Sequence, residues 1–107
     1  MPTARFFFDA RSGTLLWAAP EDQAVWNYPI DLARLPISAE LHDELERLLD
    51  EYDTSLDWDY PSAPTPWDEQ QCRTFNAAAR RAIDRLRAEL GADWRIHDTF
   101  KEVRTGN

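Results

Sequence analysis

Two periodicities organise the hydrophobic positions of this chain of 107 residues. Residues 5 to 18, RFFFDARSGTLLWA, show the first, in which Phe6 and Phe8 share one face and Phe7 lies on the other, because side chains alternate along a strand. Residues 10 to 13 separate the two apolar runs, and Gly13 permits the left-handed backbone of a tight turn. The segment predicts a β-hairpin.

The second periodicity is helical and begins after Pro36. Five apolar residues recur at the spacing of one helix face: Leu41, Leu45, Leu48, Leu49 and Tyr52. Ser38 precedes them and has the side chain of a good N-cap. This pattern predicts a first helix from about Ala39 to Tyr52.

A second apolar stripe predicts a longer helix: Cys72, Phe75, Ala79, Ala82, Leu86 and Leu90. Thr65 is predicted as its N-cap, with Pro66 at the first helical position and Asp68 closing a capping-box pair. Gly91 is expected to end the helix.

A third strand follows, since Trp94, Ile96 and Phe100 fall on one side of an alternating segment. Residues 19 to 36 contain three prolines without a clean period and are predicted as an extended connection. The element order is therefore ββααβ. It predicts a single α+β domain over residues 1–107, in which the hairpin and the last strand form a small antiparallel sheet packed against an αα-hairpin.

Acidic residues are concentrated in the middle of the chain. Between Pro36 and Arg73 there are eleven carboxylates and one basic residue, Arg47, whereas residues 1 to 34 are nearly balanced and residues 73 to 107 are net positive. The overall net charge of -8 therefore reflects a local acidic surface, which favours a basic partner.

The predicted partner site lies where this acidity meets aromatic residues. The connection from Asp53 to Pro64 is longer than antiparallel helices usually require, and long ordered loops often carry function. Trp and Tyr are common interface anchors, and surrounding acids would attract a cationic protein. The predicted partner-binding residues are Asp50, Asp53, Asp57, Trp58, Asp59 and Tyr60.

Two internal explanations remain open for the same residues. The acids can be neutralised by arginines of the second helix: Arg73, Arg80, Arg81, Arg85 and Arg87. Trp58 and Tyr60 can pack under the loop as a small satellite core. A self-associating domain, such as a homodimer, is the alternative to a partner-binding protein.

A metal site is less well supported by the sequence. Asp53, Ser55, Asp57 and Asp59 alternate like oxygen ligands, but Trp58 occupies the position at which a calcium-binding EF-hand needs glycine. An unconventional Ca²⁺ or Mg²⁺ site stays open, although we predict no metal and no cofactor.

Catalytic patterns are weak as well. His42, His97 and Cys72 match no zinc or nucleophile spacing, and Cys72 falls on an apolar helix face where core packing is expected. The acidic balance disfavours direct nucleic-acid binding, and no apolar stretch approaches the length of a membrane span. The chain is predicted to be a cytoplasmic, non-enzymatic protein.

The segment LPISAELHDELERLLDEYDTSLDWDYPSAPTPWDEQQC resembles the central portion of small acidic bacterial proteins associated with toxin immunity. The resemblance covers about a third of the chain and rests on its general character. It implies an inhibitor that docks on a basic toxin, often a nuclease, and blocks its active site or substrate groove. It carries over no role for a numbered residue.

Overall fold

The three strands form one sheet with β1 in the centre. The computed structural model describes residues 2–9, 14–26, 29–55 and 65–104. Within them, β1 is Thr3–Phe6, β2 is Leu16–Ala18 and β3 is Arg95–Asp98, in the order β2-β1-β3. β1 and β2 pair antiparallel, which confirms the hairpin. Its predicted turn lies outside the described residues.

β3 runs parallel to β1, with Thr3 opposite Arg95 and Phe6 opposite Asp98. The sheet is therefore mixed, and the prediction of a wholly antiparallel sheet is wrong. The reason is the helical connection. Glu89, near the end of the second long helix, accepts a hydrogen bond from the backbone N–H of Ser38, which precedes the first. The end of the second long helix therefore lies beside the start of the first. β3 then begins next to the start of β1 and runs in the same direction.

The helices are α1 (Gln23–Trp26), α2 (Ala39–Asp53) and α3 (Glu69–Leu90). The Ser38 hydroxyl accepts from the backbone N–H of Leu41 at 3.1 Å, so the predicted N-cap of α2 is confirmed. The connection before α2 is more folded than predicted, because it contains α1 and two 3-10 turns, Pro20–Asp22 and Leu32–Arg34.

α3 begins later than predicted. Asp68 is its N-cap, and the Asp68 side chain and Gln71 form a reciprocal capping box. Thr65 instead accepts from the backbone N–H of Trp67 at 3.3 Å, before the helix starts. The later start has a physical reason. The Trp67 indole is buried in the core, and the non-helical backbone before Asp68 allows the ring to reach it. The helix ends at Leu90, and Gly91 has a φ of 68°, as expected of a helix-ending glycine.

One hydrophobic core joins the two layers. Phe6 from β1, Leu45 from α2 and Phe75 from α3 are fully buried in it. Cys72 is buried in the same core, in agreement with its position on the apolar stripe. The α+β class and the order ββααβ are confirmed.

Candidate protein-binding surface

The C-terminal turn of α2 carries two of the predicted partner-binding residues. Asp50 is exposed and Asp53 is half-buried. No basic residue accompanies them in the last turn of α2, where the backbone carbonyls already present negative charge. Acids at this position each cost about 0.3–1 kcal/mol at low salt. The local sequence therefore favours an acidic surface over maximal helix stability.

These two acids continue a line along α2. We call Asp43, Glu46, Asp50 and Asp53 the acidic stripe, because their spacing of three and four residues places them on one side of the helix. The buried residues Leu41, Leu45 and Leu48 occupy the opposite side. Amphipathic packing thus orients the whole stripe away from the core.

The arginines of α3 neutralise little of this stripe. Arg85 pairs with Glu44 of α2 at 2.9 Å, whereas Arg80 is directed to Asp98 and Glu102 at 3.5 and 3.6 Å. Among the residues described, no arginine lies within 4.0 Å of the carboxylate of Asp50. The acid of α2 that pairs with Arg85 is therefore Glu44, which lies off the stripe. Within α2, the His42 imidazole lies 3.8 Å from the carboxylate of Asp43 and 3.6 Å from that of Glu46.

The two ends of the predicted binding loop are fastened to each other. The indole Nε1–H of Trp67 donates to Thr54 Oγ1 at 2.9 Å, and the Thr54 hydroxyl donates to the carbonyl of Glu51 at 2.7 Å. Ser55 is buried, and its hydroxyl donates to the carbonyl of Tyr52 at 2.6 Å. The described residues on the two sides of this loop are therefore joined by hydrogen bonds.

The remaining predicted site residues lie outside the described residues: Asp57, Trp58, Asp59 and Tyr60. Their role as partner contacts stays a prediction. Trp67, which ends the same acidic and aromatic segment, is 7 % exposed and acts as a core anchor.

Tyr52 lies where the acidic stripe meets the core. Its ring stacks on Phe8 with centroids 5.1 Å apart. Burial raises the pKa of its hydroxyl, and the charges of Asp9 and Asp53 raise that pKa further. Tyr52 therefore stays neutral near pH 7 and offers a hydrogen-bond donor beside the acids.

A cleft next to Tyr52 was not predicted. It is lined by Arg5, Phe7, Phe8, Tyr52, Thr99 and Lys101. These residues come from three separate parts of the chain, so no local motif could reveal it. The available signal was Phe7, a large aromatic residue facing away from Phe6 and Phe8.

The described residues contain no group of three or more His, Cys, Asp or Glu side chains placed to hold a metal ion. Cys72 is buried, and this burial raises its thiol pKa above the ordinary value, which disfavours the reactive thiolate. None of the helices in the described ranges has the length and hydrophobicity of a membrane span.

The structure is that of a small α+β protein with an acidic surface along α2. The chain belongs to the Serratia CdiI immunity protein-like family, whose sequence pattern matches residues 8–99. The match begins just after β1 and runs through β2, both long helices and β3. It confirms the resemblance to toxin-immunity proteins and indicates a protein that binds a toxin. No curated protein matches the chain.

Proposed function

We propose that this chain is a cytoplasmic, non-enzymatic immunity protein that inhibits a basic toxin by covering its functional surface. The toxin-binding residues would be Asp50, Asp53, Asp57, Trp58, Asp59 and Tyr60. The observation that carries the proposal is the acidic C-terminal end of α2, where exposed Asp50 has no arginine within ion-pair distance among the described residues.

The proposed roles follow from the chemistry of the side chains. Carboxylates attract a cationic protein over several ångströms and pair with its Lys and Arg side chains on contact. Trp58 and Tyr60 would supply buried apolar contact area and with it binding energy, because desolvated aromatic anchors carry much of the binding energy in protein interfaces. The hydrogen bond between Trp67 and Thr54 supports this arrangement, because it holds the residues on either side of the segment close to each other before a partner binds.

The test begins with the toxin captured from the native host by the wild-type chain and then purified. Its affinity and its inhibition are measured at low and high salt with the variant Asp50→Asn, Asp57→Asn, Asp59→Asn. The matched control is Glu21→Gln, Asp84→Asn, Asp93→Asn, which removes the same charge from exposed positions outside α2.

We expect the site variant to weaken binding by at least about tenfold and the control by much less, because close charge pairs contribute more than remote ones. Inhibition should be lost in parallel. Equal losses in the two variants would show that overall charge alone matters. A wild-type chain that captures no toxin, or that binds it without inhibiting it, would contradict the proposal itself.

Trp58→Ala tests the aromatic part separately. Truncation of an interface anchor costs about 2 kcal/mol or more, and this loss should persist at high salt. An affinity unchanged by Trp58→Ala would place Trp58 outside the interface.

A further inference from the structure

The cleft beside the acidic stripe has a volume of about 340 Å³. It opens between three parts of the chain: the end of β1 with the residues after it, the last turn of α2, and the segment that follows β3. This volume accommodates a side chain or a small organic group.

Two stacked aromatic pairs build its wall. Phe7 lies flat on Trp17 with centroids 4.8 Å apart and an interplanar angle of 5°, and the Trp17 indole N–H donates to the Phe7 carbonyl at 3.0 Å. Phe8 is buried and stacks on Tyr52. Because the rings are fixed by their neighbours, the wall exists before any partner arrives.

Positive charge stands at the same cleft. The guanidinium of Arg5 lies 5.7 Å from the centre of the Phe7 ring. Lys101, the only lysine of the chain, makes no ion pair with any of the described residues. The acids nearest to it in sequence, Asp98 and Glu102, lie within 3.6 Å of Arg80 instead. The cleft therefore combines aromatic rings with an available ammonium group.

The backbone also fixes the position of Lys101. The N–H and the hydroxyl of Thr99 both donate to the carbonyl of Phe6, at 3.2 and 3.1 Å. On the C-terminal side of Lys101, the Asn76 side chain forms two hydrogen bonds of 2.9 Å with the backbone of Val103. Lys101 lies between these two anchors, so its charge is held near the cleft.

We infer that the toxin inserts an acidic side chain into this cleft, where its carboxylate pairs with Lys101 and its stem packs against Phe7 and Tyr52. This inference rests on the proposed function and deepens it. A uniformly cationic toxin surface would be repelled by Lys101. A complementary surface therefore carries a negative group opposite the cleft and positive groups opposite the acidic stripe.

The experiment uses a substitution for which long-range attraction and the cleft contact predict opposite changes in affinity. Lys101→Glu makes the protein more acidic, so long-range attraction to a basic toxin should increase. Our inference requires the reverse, a loss of about tenfold or more in affinity, because two carboxylates would then meet in the cleft. Arg104→Glu changes the charge equally at an exposed position and should leave the affinity unchanged or raise it.

Two further measurements keep the outcome clear. Lys101→Met retains the aliphatic stem without the charge and should weaken binding less than Lys101→Glu. Replacing the responsible toxin acid by lysine should restore the binding of Lys101→Glu, and systematic replacement of surface acids on the toxin identifies that residue.

Wild-type affinity or tighter binding in Lys101→Glu would overturn the cleft inference. If the Asp50, Asp57, Asp59 variant still loses affinity in the same experiment, the proposed function survives that result. If neither variant loses affinity, the toxin binds elsewhere and both proposals fail.

Discussion

Asn76 shows how one buried polar side chain positions a segment beyond the sheet. Its Nδ2 donates to the Val103 carbonyl and its Oδ1 accepts from the Val103 N–H, both at 2.9 Å. The side-chain amide thus imitates the backbone of a neighbouring strand. Because β3 ends at Asp98, this pair holds the chain that carries Lys101 against α3.

Asn76→Leu should lower the free energy of unfolding by about 1–3 kcal/mol, since it leaves the N–H and carbonyl of Val103 without their partner. Urea denaturation measures the loss, and faster hydrogen exchange at the Val103 amide locates it. Gln70→Leu, on the exposed side of the same helix, should change stability much less. An equal loss in both variants would mean that the Asn76 pair contributes nothing specific.

Residues of the candidate site were predictable to different degrees. Asp50 follows from the helical period, because a position opposite the Leu41, Leu45 and Leu48 stripe is exposed in any amphipathic helix. The burial of Trp67 was harder to predict, since acidic residues follow it in sequence and its burial depends on contacts with Phe75 of α3 and Thr54.

At the scale of elements, the starts of the two long helices illustrate what capping signals can and cannot decide. Before the apolar run of α2, Ser38 is the single candidate N-cap. The start of α3 offers two acceptable caps, Thr65 and Asp68, and local sequence rules favour Pro66 at the first helical position. In the structure Asp68 is the N-cap, because burial of the Trp67 ring favours the later start.

Asp68→Ala is expected to cost about 0.5–2 kcal/mol of stability, because it removes the acceptor of an N-terminal helix amide. Thr65→Ala removes the cap that the sequence predicted and should cost less. Thermal or urea denaturation of the two variants measures the difference. A larger loss from Thr65→Ala would contradict the start of α3 at Glu69.

A second element contact is sensitive to pH. Hydrogen bonding to the Ser38 backbone N–H lowers the pKa of Glu89 most strongly, the Ser38 hydroxyl and Arg85 lower it further, and partial burial opposes the change. The carboxylate of Glu89 is therefore favoured in the folded state, and it ties the start of α2 to the end of α3.

Glu89→Gln should lower the melting temperature at neutral pH. Because the folded-state pKa lies below the unfolded value, the stabilisation is present above the unfolded pKa and is lost as the pH falls through the folded pKa. The difference between variant and wild type should therefore shrink in acid. Glu21→Gln serves as the control, and a difference independent of pH would exclude the ionised Glu89 as its cause.

At the scale of the whole molecule, the charges are separated. The acidic stripe lies on the outer side of α2, while Arg5 and Arg95 are exposed on the sheet. Strand alternation and the register of β1 with β3 place these two residues on the sheet face opposite the helices. A partner would therefore be attracted preferentially to one side, which sets its orientation before contact.

This separation predicts a kinetic signature. The Asp50, Asp57, Asp59 variant should reduce the association rate constant for the toxin at low salt, and most of that rate difference should disappear near 1 M salt, where the screening length is about 3 Å. Stopped-flow fluorescence at several salt concentrations measures it. An association rate that is insensitive to salt would remove the steering role of the acids.

The sequence by itself determined the periodic features: the hairpin, the two long helices, the apolar faces of both, the α+β class and the acidic side of α2. These features depend on the spacing of residues that are close in sequence. The geometry of helices and strands places apolar residues at that spacing on one face, and the hydrophobic effect buries that face.

The tertiary structure alone decided the parallel pairing of β3, the start of α3 and the cleft around Tyr52 and Lys101. Each joins residues that are distant in sequence. The direction of β3 depends on where the helix pair returns the chain, and the cleft requires rings and cations from three segments to meet. Such contacts are set by packing of the complete core, for which local spacing contains no signal.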